Sequence, residues 1–593
     1  MTTRATRGPR RRTVAALMVI LIVLCAFLIR LIDIQVVRAD EHVADSLSLG
    51  NLGSTQTIAG ADGDIVDENG TVLASSVLVY DAQLDPLLIT QLEDAEKKPK
   101  LPWAQASEKI AEITEMSVDD VRALVDDALA VDPASRYAPL KKGLSTKKYL
   151  ELKELGVPYL AMFSRSVRVY PNGAVAGNLI GFLDGEGNGQ YGIERTEATC
   201  LAPTNGERTY LSGKGGVVIP GSERVTPAVD GGTVQLTINS DLNWYLQQMI
   251  AEEAQFQGAQ AGSVTVIEVK TGKIRAAAEY PALDPNDINS VDPTYWKSQI
   301  FSNSYEPGST FKAITAATVI DQGAATPLST VTAPSREVFP NGAVINDPVK
   351  HPVTQYTLAG ALIDSSNVSL SKFGTMVTPE VRYEYLKKFG VGKATGVDFY
   401  SEVTGGVRDP ESWDNQTLYT TTFGQAFTIT TAQLAGAYQA IANDGEKIDL
   451  SLVESCTAPD GTVTEAADPA SERVVSADTA EQVQRMLENV DVQGSLASRV
   501  EVPGYRVGLK TGSAQKPNGT GGYKQGVYFT SIVGMAPIED PQYVVVVTLD
   551  EPTKLRSSAA NADAFQKAMT QVLKTYRVPP SSQPMDELLP KTD

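Results

Sequence analysis

The residues best placed to do chemistry are serines spaced three positions ahead of a lysine. The chain has only two histidines, His42 and His351. His42 follows closely on an apolar N-terminal run, His351 precedes Pro352 in a loop-like stretch, and neither adjoins a Gly-x-Ser-x-Gly elbow. A histidine-assisted serine is therefore a poor fit, and lysine is the remaining base. Ser-x-x-Lys occurs four times, at Ser145/Lys148, Ser309/Lys312, Ser369/Lys372 and Ser513/Lys516. Only Ser309 follows Glu306-Pro307-Gly308 and leads into an apolar stretch, Phe311 to Ile320, without Gly or Pro. That context predicts a buried helix with Ser309 in its first turn, where the macrodipole favours developing negative charge. The i,i+3 spacing puts Lys312 on the face of the hydroxyl. Desolvation and a second nearby cation lower a lysine pKa and let it take the serine proton, which is the chemistry of acyl transfer.

Two further groups follow in order. Ser365-Ser366-Asn367 supplies a hydroxyl and an amide, and Lys510-Thr511-Gly512-Ser513 opens a strand-like segment. An earlier Lys-Thr-Gly at Lys270 precedes the serine, sits in a turn, and is read as coincidence. Ser-x-x-Lys, Ser-x-Asn and Lys-Thr-Gly in this order form the set of penicillin-binding proteins and serine β-lactamases. In that set Ser309, Lys312, Ser365, Asn367 and Lys510 are the expected catalytic residues, and Thr511, Gly512 and Ser513 the substrate-binding ones. Backbone amides of Ser309 and Ser513 are expected to hold the tetrahedral oxyanion. Lys510, Thr511 and Ser513 are expected to bind the carboxylate of a peptide ending in D-Ala-D-Ala, with its backbone added alongside the Lys510 strand. Ser365 is expected to relay a proton to the leaving amine, and Asn367 to orient Lys312 and the substrate amide.

These side chains need a scaffold outside the cytoplasm. Arg4, Arg7, Arg10, Arg11 and Arg12 precede an apolar run from Val14 to Ile29, which Leu31-Ile32 extend past Arg30. About 20 such residues cross a bilayer if Arg30 snorkels outward. The upstream arginines hold the tail in the cytoplasm and export the rest. A cleaved signal peptide is the alternative, but Val37-Arg38-Ala39 lies far beyond a run already longer than a usual signal core. A net charge of -20 argues against nucleic-acid binding. Cys25 lies in the apolar run; Cys200 and Cys456 fall in different expected domains, and the sequence leaves open whether they pair. No Cys/His spacing suggests a metal site, and no cofactor is implied.

With 593 residues, more than one core is required. Thr55 to Val79 reads as strands about the turn Asp67-Glu68-Asn69-Gly70, since Asn-Gly between apolar stretches signals a hairpin. Leu101 to Leu155 reads as amphipathic helix, while Val167 to Glu194 and Gly213 to Gly221 are turn-rich. Together they suggest a partly extended module poor in dense core. From Val234 the pattern becomes strand, helix to about Ala254, and a strand pair around Lys270-Thr271-Gly272. Strands at Tyr528 to Met535 and Tyr543 to Leu549 and a helix at about Ala562 to Thr575 close the chain. Strands at both ends with helices between fit an antiparallel sheet covered by helices.

The chain resembles a class B penicillin-binding protein over nearly its full length, and most closely the cell-division (septal) transpeptidases. Gly63 to Ala74 resembles the first motif of the family's pedestal. Arg168-Val169-Tyr170-Pro171-Asn172-Gly173, Ile180-Gly181-Phe182 and Gly192-Ile193-Glu194 resemble the second. Tyr305 to Lys312, Phe389-Gly390-Val391-Gly392, Phe423-Gly424-Gln425-Ala426 and Gly508 to Gly512 follow the transpeptidase pattern. Asp62 and Glu68 stand where the pedestal usually has arginines, and the common Asn-Arg pair before Tyr305 is missing.

The resemblance implies an α+β multidomain fold. It comprises a cytoplasmic tail (1–12), a transmembrane anchor (13–32), an irregular β-rich pedestal or dimerisation-like domain (40–225) and a connecting strand and helix (226–260). A serine-β-lactamase-like transpeptidase domain (261–580) and a disordered tail (581–593) complete it. It also implies a single-pass cell-membrane protein with its catalytic domain extracellular, stem peptides with a D-Ala-D-Ala donor as substrate, and β-lactams as ligands. Class B implies no glycosyltransferase domain, so polymerisation falls to a partner: a glycosyltransferase of the SEDS (shape, elongation, division and sporulation) family, alongside other division proteins. A secreted β-lactamase would lack the anchor and pedestal, and a β-lactam sensor would need further transmembrane machinery. A D,D-carboxypeptidase would share the triplet, and a non-catalytic scaffold would have no reason to retain it.

Overall fold

A computed structural model describes residues 8–33, 37, 53–95, 100–211, 219 and 221–592. Most of the expected tail, the start of the pedestal at 40, His42, and most of the Gly213–Gly221 stretch lie outside them.

The described residues up to Gly60, with those of Thr204–Val229, form one compact unit, and those of Ala61–Pro203 and from Asp230 onward form another. In the first, helix α1 (Gly8–Ile32) is exposed from Val14 onward, and its Val14–Ile32 span is long and apolar enough to cross a membrane. Arg30 pairs with Asp33 at 2.8 Å.

The second unit begins with the expected turn. Asp67 accepts from the amides of Asn69 and Thr71, and Gly70 takes a φ of +83° that glycine adopts without a Cβ clash. Strand β1 (Val72–Leu84) then pairs antiparallel with β2 (Ala138–Leu144) and β3 (Leu160–Val169), and helices α2 (Trp103–Thr114) and α3 (Val118–Val131) fall between. The stretch expected to be all helix thus contains a strand, because alternate residues Ala138, Leu140 and Leu144 face a core. That core, with Ile110, Val121 and Leu152, also corrects the expectation of a module poor in packing.

The break near residue 225 is less clean than composition suggests. Thr233–Leu236 pairs in parallel with Ile65–Val66 on one side and antiparallel with Val453–Thr457 on the other, in one mixed sheet. The same seam brings Cys200 and Cys456 into a disulfide with 6.2 Å between Cα atoms. Two cysteines assigned to separate domains therefore meet, because the sheet runs across the boundary. The acid at Glu68 also finds its cation here. Arg275 donates to it at 2.6 Å and to Glu268 at 2.8 Å, and Asn239 donates to it at 2.7 Å. Arg168 and Glu194, both almost wholly buried, pair at 2.7 Å, and Tyr170 donates to the same carboxylate. Burial pushes the Glu194 carboxyl up against the pull of Arg168.

Beyond the seam, helix α4 (Ser240–Gln257) is capped by Asn239, whose side chain accepts from Leu242 N. Strands β4 (Ala261–Glu268) and β5 (Ile274–Tyr280) follow, then helices α5 (Lys312–Asp321), α6 (Leu358–Ile363), α7 (Asn367–Gly374), α8 (Thr431–Ala442) and α9 (Ala477–Gln493). Strands β6 (Gly508–Pro517), β7 (Tyr523–Ala536) and β8 (Tyr543–Asp550) and helix α10 (Ala562–Thr575) close the domain. The five strands form one antiparallel sheet in the order β5-β4-β8-β7-β6. Consecutive residues Val544 to Val547 are all fully buried, so helices cover both faces. Strand β6, which carries Lys510 to Ser513, is therefore an edge.

The C-terminal residues differ from the expected disordered tail. Leu589 is buried and its N–H donates to Asn489 Oδ1, Thr357 donates to the Pro590 carbonyl, and Lys591 pairs with Asp364 at 2.8 Å. A leucine anchor and a strand bridge between Thr592 and Tyr356 hold a segment whose polar composition alone suggests none.

Candidate functional site

Ser309 lies in a 3-10 turn, Gly308–Phe311, and α5 begins at Lys312, a few residues later than expected. The turn is tight because Thr310 Oγ1 donates to the Pro307 carbonyl and Gly308 adopts φ +57°. Neighbouring segments clamp it. Gly308 N donates to Gly424 O at 2.8 Å, Tyr438 OH donates to Thr310 O at 2.6 Å, and Tyr305 exchanges both backbone bonds with Ile429. Glu306 accepts from Ala426 N at 2.9 Å and from Tyr523 OH at 2.8 Å. A Cβ on Gly424 would fall 2.0 Å from Gly308 O, so that glycine is the condition for the clamp.

Because α5 is apolar on all sides and almost wholly buried, Lys312 goes inside with it, fully out of solvent. Its amine donates to the Ser365 carbonyl and, at 3.1 Å, to Ser365 Oγ. Burial holds its pKa well below the ordinary lysine value, the charge of Lys510 pushes the same way, and Asp347 opposes them. Lys510, also fully buried, reaches the same Ser365 Oγ at 3.1 Å and the Thr511 carbonyl at 3.2 Å; burial lowers it to about 7. Ser365 Oγ thus bridges two lysines. It does so from a left-handed backbone, φ +54°, in the turn between α6 and α7.

The rest of that turn is fixed from behind. Ser366 caps α7 and donates to Asp347 Oδ2 at 2.7 Å, while Asp347 Oδ1 accepts from Val368 N. His351 closes the set, 2.7 Å from Asp347 Oδ2. Asn367 departs from expectation: its amide donates to Asn346 O at 2.8 Å, and among the described residues nothing joins it to Lys312. Its side chain instead faces the cleft.

On the opposite lip, β6 packs hard against the serine turn. A Cβ on Gly512 would meet Ser531 Oγ at 2.6 Å and Thr310 Cγ2 at 2.9 Å, which is why a glycine follows Lys510-Thr511. Thr511 and Ser513 line the cleft and Lys510 does not, so their hydroxyls are the groups open to a carboxylate, with Lys510 acting from beneath. Ser513 Oγ accepts from Ser558 N at 2.8 Å. The cleft encloses about 510 Å³ and brings together Ser309, Ser365, Asn367, Thr511 and Ser513.

Of the competing copies, the one at Ser513 shares the cleft but sends its Lys516 to Asp550 at 2.8 Å, and the others lie elsewhere. Ser145 caps a pedestal helix, Ser369 is buried behind Ser366, and Lys270 reaches Asn443 in the turn between β4 and β5. Motif reading missed Asp347, Glu306 and Gly424 as site residues. Glu306 and Gly424 sat inside quoted motifs; Asp347, in Asn346-Asp347-Pro348, carried no signal.

Comparison with known proteins finds two family models that together span most of the chain. Residues 262–570 match the model of the penicillin-binding protein transpeptidase domain, and residues 57–236 that of the penicillin-binding protein dimerisation domain. The penicillin-binding protein PbpB of Mycolicibacterium smegmatis is 31% identical over 95% of this chain and 90% of its own length. The peptidoglycan D,D-transpeptidase FtsI of Escherichia coli is 27% identical over 95% and 91%. The crystal structure of penicillin-binding protein 3 from Mycobacterium tuberculosis complexed with ampicillin aligns with a TM-score of 0.69 at 27% identity, covering 91% of this chain and all of that one.

Proposed function

The chain belongs to the penicillin-binding transpeptidases, and on that premise we propose that it is a class B peptidoglycan D,D-transpeptidase that cross-links stem peptides through an acyl-enzyme on Ser309. The observation that carries the assignment of residues is the convergence of two buried lysines on Ser365 beside Ser309.

That geometry supports the following reaction. Lys312, whose pKa burial lowers, takes the Ser309 proton as Oγ attacks the penultimate D-Ala carbonyl. Lys510 supports this step by disfavouring a proton on Lys312. The oxyanion is held by the amides of Ser309 and Ser513. Thr511 and Ser513 hold the terminal carboxylate, and Gly512 lets β6 approach the turn. Ser365, in contact with both lysines, passes a proton to the departing D-Ala amine. Asn367, reaching the cleft from α7, positions the donor amide. β-Lactams present the same carbonyl and carboxylate and acylate the same oxygen.

The Val14–Ile32 helix anchors the protein in the cell membrane with its arginine-rich end inside and the transpeptidase domain outside. Its donor strands come from a SEDS-family glycosyltransferase within the division machinery, met through the anchor and pedestal. Helices in lipid associate by close packing at small residues, here Ala15, Ala16 and Ala26.

The test is covalent labelling by fluorescent penicillin. Wild-type protein is expected to label stoichiometrically and a folded Ser309→Ala variant not at all; stoichiometric labelling of that variant would sink the assignment. Exchanging residues 13–32 for an unrelated span is expected to preserve labelling and weaken co-purification with the polymerase.

A further inference from the structure

We propose that the cavity between the C-terminal end of α9 and the segment Ala497–Val507 is a binding site for an alkylammonium group, with Asp491 as its counter-ion. The site stands apart from the chemistry at Ser309, since it shares no lining residue with the catalytic cleft.

Asp491 lines this cavity, is only 9% exposed, and has a buried Oδ1 without a hydrogen bond. Burial and the charges of Glu488 and Glu501 all act on its carboxyl in one direction, raising it to about 7. A buried carboxylate is strongly unfavourable unless a counter-charge and hydrogen bonds meet it. The nearest candidate is already taken. Arg506 is the one basic residue lining the cavity, and Glu488 holds it through both Nε and Nη2, at 2.5 and 2.9 Å. The carboxylates of Glu488, Asp491 and Glu501 therefore share a single guanidinium. Glu539 and Asp586, the other charges acting on Arg506, are acidic as well. The helix adds to the surplus. Glu488 and Asp491 lie towards the C-terminal end of α9, where the macrodipole is negative, and its last turn holds no basic residue. A cation is what this potential lacks.

Geometry narrows the class of that cation. The cavity encloses about 330 Å³, at the lower end of ligand pockets. Val492, Ala497, Val507 and Met585 give it apolar surface suited to methylenes. Tyr505 lines it too, and because its hydroxyl donates to Val578 O at 2.6 Å, the ring is the surface it offers. Among the described residues no cluster of acids, histidines or cysteines is arranged to hold a metal ion. An ammonium on an alkyl chain satisfies both halves of the lining: the head pairs with Asp491 and the methylenes lie along the apolar wall. Glu501, exposed, draws the cation in from solvent.

Full-length protein in detergent would be titrated by calorimetry, at constant ionic strength, with pentane-1,5-diamine and with Nα-acetyllysine amide. Saturable one-to-one binding is expected at pH 8. Binding needs Asp491 ionised while the amines stay charged throughout, so affinity at pH 6 is expected to be about tenfold weaker. That profile reads Asp491 in the wild-type protein, without a variant. Asp491→Asn removes a buried charge, so it is expected to fold and to be acylated by penicillin within twofold of wild type. It should lose at least tenfold in affinity and all of the pH dependence, and Glu501→Gln should lose less. Binding of the diamine alone would identify a free diamine as the ligand, and of the blocked lysine alone a polypeptide side chain. Failure of both amines to bind would overturn the proposal, as would equal affinity at pH 6 and pH 8 or unchanged affinity in folded Asp491→Asn. Magnesium chloride competing with equal affinity would also overturn it, by making the site one for metal ions.

Discussion

Replacing Gly424 with alanine tests whether the serine turn is held by its neighbours or merely adjoins them. Gly424 sits at φ +84°, and an added Cβ would lie 2.0 Å from Gly308 O and 2.7 Å from Gly308 C. Carbon–oxygen contacts settle near ~3.3 Å, so one of the two segments must retreat by roughly 1.3 Å. A left-handed alanine costs about 1–2 kcal/mol, and overpacking a closed site about 1–3 kcal/mol. The sum, about 2–5 kcal/mol, leaves a folded but destabilised domain. The functional loss is larger, because Gly308 is the residue before the nucleophile and a misplacement of about 1 Å costs on the order of 10²-fold in rate. The assay is the second-order rate of acylation by fluorescent penicillin, read beside thermal unfolding. Gly436→Ala is the matched control: it lies within α8, its nearest neighbours are 4.0 Å from the new Cβ, and the exchange should stabilise the helix by about 0.5–1 kcal/mol. A folded Gly424→Ala protein with wild-type acylation would refute the clamp.

Three other outcomes follow from buried groups. Arg168→Ala leaves the Glu194 carboxylate without its cation and is expected to cost about 3–5 kcal/mol, seen as a fall in unfolding midpoint, with Glu194→Gln milder. Lys510 titrates at about 7 when folded, so below that pH folded and unfolded chains both carry its proton and the fold bears the full cost of the buried charge. Between about 7 and the ordinary lysine value only the unfolded chain holds the proton, so stability climbs with pH. Lys510→Met is therefore expected to abolish acylation yet raise the midpoint, more at pH 6 than at pH 10; an equal shift at both would contradict the buried charge. Cys200→Ser with Cys456→Ser opens a bridge spanning 256 residues and is expected to lower stability by about 2–5 kcal/mol while folded protein still acylates. Unchanged unfolding in reductant would show the bond absent from the native protein.

Much of this site was legible because its chemistry is local in sequence. The Pro307-Gly308-Ser309 entry and the apolar run after it predict the buried turn and helix, and burial of that helix carries Lys312 into low dielectric. The terminal helix and the β7–β8 pair were readable from period and proline alone. What stayed hidden depends on distant partners. Asp347 matters because a loop returns it behind Ser366. Asn367 reaches Asn346 rather than Lys312 for the same reason. Cys200 and Cys456 meet through a sheet whose neighbours lie far apart in sequence. The strand at Ala138–Leu144 was lost among helical charges because Lys141 and Lys142 interrupt its alternation.

The most direct measurement is the site of the penicilloyl group. Protein labelled with penicillin, digested and read by tandem mass spectrometry, is expected to carry one adduct, on Ser309 in the peptide containing Tyr305 to Lys312. An adduct on Ser145, Ser369 or Ser513, or on Ser365 itself, would contradict the account at its centre.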